Sequence, residues 1–168
     1  AWQAQGLLDE EQGEALGNLA RTWEPQALDC GAGPGLFPGT LRALEELEVL
    51  EEDWRTLLRQ GEETAPVRGD EVLLERIACY FAFRHLLKAI NDGDLLGRAQ
   101  LCVLAGLTVE RLTPVCGGLG EALRRFCREV EHSEENLAAL LEAFWQREEL
   151  SLACFFRELS LLYKDDCP

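Results

Sequence analysis

The 168-residue sequence contains no methionine, only two histidines, and no C-x-x-C pair among its seven cysteines. Cysteines at 30, 79, 102, 116, 127, 154 and 167 exclude the usual zinc-ribbon and dithiol motifs, and their odd number argues against a closed disulfide framework. They read as small buried hydrophobes in a reduced cytoplasm. There is no run of about 18 apolar residues, so no membrane-spanning helix is expected. The basic-then-apolar order of a secretory signal is missing as well. Basic residues are scarce, 16 against 31 acidic, for a formal charge of −15. That excludes nucleic acid, whose phosphates require a basic face, and argues against an anionic membrane surface. Stretches that alternate apolar and polar residues are absent too, so strands are not expected. A chain that starts at Ala1 without any methionine reads as a fragment of a longer protein.

What is present is helical periodicity in a chain that is 47% apolar, enough for one core. Asp9 caps a first amphipathic segment with Ala15, Leu16, Leu19 and Ala20 on one face, and Pro25 ends it. Residues 26–39 hold four glycines and two prolines and read as loop. In residues 40–60, with Thr40 as a cap, Leu41, Leu44, Leu47, Leu50, Trp54, Leu57 and Leu58 recur at helical spacing behind an acidic face, with a possible break near Glu51. Three parts follow from this pattern: an N-terminal helix and loop (1–39), a helical core domain (40–163) and a tail (164–168).

The core is expected to form around residues 70–92. Val72, Leu73, Leu74, Ile77, Tyr80, Phe81, Phe83, Leu86, Leu87 and Ile90 cover most of that helix's circumference, the pattern of a buried helix. Asp70 caps it and Gly93 closes it. Asp94 then caps a partner helix from Leu95 to Leu107. Further helices are expected over 119–130, over 134–147 with Ser133 as cap, and over 152–163 with Ser151 as cap. The expected fold is all-α: a single bundle-like domain of five to seven helices around a buried central helix at about 70–92.

Chemistry-bearing residues collect in two places. Arg84, Lys88 and Asn91 form a line between two apolar arcs of the 70–92 helix, an arrangement that suits snorkelling or acidic partners. Asp92 and Asp94 stand close in sequence to Arg98, where turn and cap chemistry also favours aspartate. Later, Glu131, His132, Glu135 and Asn136 surround a helix start. Three such groups with one histidine fit a cap and an ion pair better than a metal site. The acidic field as a whole suits a basic protein or peptide partner.

Three stretches resemble the flagellin lysine-N-methylase family: residues 47–54 (LEVLEEDW), 80–98 (YFAFRHLLKAINDGDLLGR) and 128–137 (REVEHSEENL). They fall in the order of that family's C-terminal half, and the likeness spans residues 41–162. The resemblance implies methyl transfer to lysine ε-amines of a protein substrate, typically flagellin, in the bacterial cytoplasm, with S-adenosylmethionine as donor. Family members carry an N-terminal cysteine cluster for a metal or iron–sulfur centre, and nothing here matches it. The chain therefore reads as the helical C-terminal part, a scaffold or substrate-binding unit without independent catalysis. Arg84, Lys88, Asp92, Asp94, Arg98, Glu131, His132 and Asn136 are the expected substrate-binding residues, the carboxylates receiving a lysine ammonium.

Two other functions are open on sequence. One is a non-enzymatic helical interaction module, whose sign would be an exposed apolar groove. The other uses residues 28–35 (LDCGAGPG), which resemble the first motif of Rossmann-type S-adenosylmethionine-dependent methyltransferases. Asp29, Gly31, Gly33 and Gly35 would then approach the cofactor. That motif needs a strand before it and alternating strands and helices after it, and residues 22–27 are not a strand; without that context the segment is a Gly/Pro-rich linker.

Overall fold

The computed structural model describes residues 35–64 and 71–162. The expected N-terminal helix, most of the Gly/Pro-rich loop, the Asp70 cap and the tail lie outside them. Among the described residues the fold is all-α, with seven α-helices of eight residues or more. They are α1 (Leu36–Glu46), α2 (Trp54–Glu63), α3 (Glu71–His85), α4 (Leu95–Leu112), α5 (Leu119–Phe126), α6 (Glu134–Gln146) and α7 (Leu152–Leu162). No strand occurs in these residues, so the parallel sheet that the Rossmann reading requires is not among them.

Local chemistry sets most of the boundaries. The Asp94 carboxylate accepts the Gly97 N–H at 2.9 Å and starts α4, and Ser133 Oγ accepts the Asn136 N–H at 3.2 Å and starts α6. Gly93, at φ 74°, closes the helical run before α4 in the left-handed region that glycine favours. One boundary moves. Thr40 is not a cap: α1 already starts at Leu36, with Pro38 tolerated in its first turn, and the Thr40 hydroxyl donates back to the Leu36 carbonyl at 2.9 Å. The 40–60 region does break, leaving residues 47–53 as a connector between α1 and α2.

The helical run over 71–92 forms with one tightened turn at Leu86–Lys88, but it is not the central helix. Among its described side chains only Ile77, Phe81 and His85 are buried. The centre belongs to its partner, α4. Leu101, Leu104, Ala105, Val109 and Leu112 of α4 are buried. Around them gather Leu41 and Leu44 of α1, Trp54 and Leu58 of α2, Phe81 of α3, Phe126 of α5, Leu140 and Phe144 of α6 and Phe155 of α7. The physical reason is charge. Residues 99–109 carry no charged side chain, whereas the 71–92 run has Glu71, Glu75, Arg76, Arg84, Lys88 and Asp92, so no face of it can be dehydrated over its whole length. At Gly61, an added Cβ would lie 2.8 Å from Leu112 Cδ2, so the missing side chain is what lets α2 sit this close to α4.

Cysteine burial follows expectation in part. Cys102 and Cys154 are buried and Cys116 and Cys127 partly so, but Cys79 is exposed.

Candidate functional site

After α5 the chain does not continue as a regular α-helix. Cys127–Glu131 form a π-turn, closed by the His132 N–H on the Cys127 carbonyl at 2.8 Å. The wider turn brings three consecutive residues, Glu129, Val130 and Glu131, out of solvent. Irregular turns of this kind recur at functional sites.

Glu131 is the centre of the candidate site. Its side chain is 1% exposed. Tyr80 Oη lies 3.0 and 3.3 Å from its two oxygens, Arg84 Nε forms an ion pair with it, and His85 Nε2 stands 3.5 Å away. Burial alone would raise the Glu131 carboxyl, but hydrogen bonds from Cys127 and Tyr80 and the positive charge of Arg84 hold it below the ordinary carboxylate value. The neighbours shift the other way. Burial, then the bond to Glu131 and its charge, push the Cys127 thiol up to about 12. Burial and the same carboxylate raise the Tyr80 phenol. Burial lowers the His85 imidazole, only partly offset by Glu131. The result is one ionised carboxylate ringed by protonated donors and a neutral imidazole. Cys127 is no nucleophile in this setting, since attack requires a thiolate. His85 stacks on Phe81 at 5.8 Å between ring centroids, and neither of its nitrogens has a hydrogen-bond partner among the described residues.

A second node lies on the other side of the π-turn. The Glu129 carboxylate accepts the N–H groups of Leu50 and Glu51 at 2.9 and 2.6 Å. Asn136 accepts the Glu48 N–H at 2.9 Å and donates to the Glu48 and Glu129 carbonyls at 2.8 and 2.6 Å. Together they strap the connector 47–53 onto the π-turn. Glu51 adds ion pairs with Arg124, Arg125 and Arg128, and Asp53 pairs with Arg125 at 2.7 Å. The acidic residues Glu51 and Asp53 of the connector therefore meet Arg124 and Arg125 of α5 and Arg128 of the π-turn.

The expected site residues divide into groups. Arg84 and Glu131 are in contact. Asp92, Asp94 and Arg98 form a turn cluster: Arg98 Nε donates to Asp92 Oδ2 at 3.0 Å, and the Asp94 N–H donates to Asp92 Oδ1 at 3.0 Å. The Arg98 bond keeps the Asp92 carboxyl below its ordinary value. Lys88 is exposed, and its charge, like that of Arg98, reaches His85 and lowers it. His132 is exposed beside the site. The Asn136 amide is spent on the strap. Tyr80, His85, Cys127 and Glu129 belong to the site but are absent from the sequence-based set. Tyr80, His85 and Glu129 lie within the stretches that carry the family resemblance, whereas nothing in the sequence points to Cys127.

Among the described residues no group of three histidine, cysteine or acidic side chains is arranged to hold a metal ion. An apolar groove of about 330 Å³ opens between α3 and α5, walled by Ile77, Tyr80, Leu119 and Leu123 with Arg76 at its edge. No family model, no curated protein and no solved structure matches the chain.

Proposed function

We propose that the chain is the helical part of a protein lysine N-methylase, holding the substrate protein while other residues carry the methyl donor. The supporting observation is convergence. The three stretches that carry the family resemblance meet at the π-turn: Tyr80 and Arg84 reach Glu131, and residues 48–51 are strapped to Glu129 and Asn136. Glu131, buried and held ionised behind Tyr80 and Arg84, is the group able to receive a lysine ammonium in place of the Arg84 guanidinium. S-adenosylmethionine enters this reading through the resemblance alone. The groove beside α3 is apolar, so the reading assigns the donor to other residues, and among the described residues no donor set is arranged to hold a metal ion.

The test is the mass of flagellin lysines in cells with and without the full-length protein. The expected result is a methyl increment that disappears with the gene and with Glu131→Gln. An unchanged mass in the presence of the protein overturns the reading. A second reading, a non-enzymatic interaction module, is favoured by the apolar side chains left exposed along α3 and the run after it.

A further inference from the structure

Helical backbone extends from residue 71 to residue 92, and one line of it faces solvent. Arg76, Tyr80, Phe83, Leu87 and Ile90 recur at spacings of four, three, four and three residues, the period of a coiled-coil seam. Phe83 is 81% exposed, Ile90 84%, Leu87 47% and Tyr80 44%. Single exposed apolar residues are ordinary, but four adjacent ones on one seam are the mark of an interaction surface. At its N-terminal end the seam runs into the groove walled by Leu119 and Leu123 of α5.

Charge selects the occupant. In a chain of formal charge −15, the solvent side of this run carries Arg76 in the seam, with exposed Lys88 and the Glu131-paired Arg84 beside it and exposed Glu75 next to Arg76. Asp92, the nearest exposed carboxylate at its far end, is already engaged by Arg98. A second copy laid seam to seam would set these basic groups against an equally basic strip, and the two chains would also repel through their net charge. We infer that the seam docks an amphipathic helix of a partner protein, one with apolar residues at coiled-coil spacing and carboxylates along its edges, in the helix-in-groove mode. This stands independently of the methylase reading.

The test uses the full chain and two synthetic helical peptides with the same Leu/Ile seam, one flanked by glutamates and one by lysines, titrated by fluorescence anisotropy. The glutamate peptide is expected to bind about tenfold tighter than the lysine peptide at low salt, with the gap closing as salt rises. Phe83→Glu, at an exposed position, is expected to weaken it about thirtyfold, as loss of a central aromatic anchor does. Arg76→Glu combined with Lys88→Glu should reverse the preference between peptides. Equal binding of both peptides, binding of neither, or a preference that survives the charge reversal overturns the proposal. So does a dimer in sedimentation velocity that Phe83→Glu dissociates, which would make a second copy the occupant. A fall in melting temperature of the uncomplexed chain with Phe83→Glu also overturns it, because other residues of the same chain would then cover the seam.

Discussion

His85 is fully buried with both nitrogens lacking hydrogen-bond partners among the described residues, and burial holds its imidazole below the ordinary 6.5. In the unfolded chain the same side chain titrates near its ordinary value of about 6.5. Below that pH the unfolded state takes up a proton that the folded state refuses, so stability falls as pH drops from about 6.5 and levels off once the folded value is passed. Urea midpoints measured at a series of pH values should show this decline, and His85→Asn should flatten it. A variant that declines as steeply as the parent would shift the cause to other groups. Glu131 contributes in the same direction but at lower pH, because its folded value lies below the ordinary carboxylate range and its partners are lost only when it protonates.

At the scale of elements, the connector 47–53 is held by side chains distant in sequence, not by regular structure. Asn136 makes three hydrogen bonds in this strap, two to the Glu48 backbone and one to the Glu129 carbonyl. Asn136→Ala leaves the buried Glu129 carbonyl and two partly buried Glu48 backbone groups without this partner and is expected to cost about 2–4 kcal/mol, read from chemical denaturation. A loss below about 0.5 kcal/mol, the floor for a single bond, would mean that water replaces the amide. This strap also marks the limit of what sequence shows. The Asp94 and Ser133 caps and the break in 40–60 are written in a few adjacent residues and were legible. The partners of Glu48 and Glu129 lie 78 to 88 positions apart, and nothing in the local pattern signals them. The centre of the fold lies in α4 and not in the 70–92 helix for a related reason. Apolar residues all round 70–92 resemble a buried helix, but the uninterrupted absence of charge over 99–109 was the better indicator. Part of that apolar circumference is the exposed seam.

For the whole molecule, net charge and local pairing pull in opposite directions. Glu51 with Arg124, Arg125 and Arg128, and Glu45 with Arg59, are surface pairs that salt weakens, each contributing no more than about 1 kcal/mol. The formal charge of −15 makes the compact state repel itself, and salt relieves that. Self-repulsion acts over the whole surface while each pair is local and weak, so the melting temperature should rise from about 10 mM to about 150 mM salt as the screening length shrinks. Calorimetry at fixed pH checks this, and a falling melting temperature would show the arginine network to be the larger effect.

The π-turn at Cys127–Glu131 makes residue count as consequential as residue type. Glu129 and Glu131 serve opposite neighbours, the 47–53 connector and α3, and they do so because one extra residue is accommodated in that turn. Exchanging the exposed Arg128 or His132 leaves the count intact. Removing a single residue would return the backbone to α-helical pitch and rotate one of the two carboxylates away from its partners. The stretch therefore tolerates changes of spelling at its exposed positions but not of length.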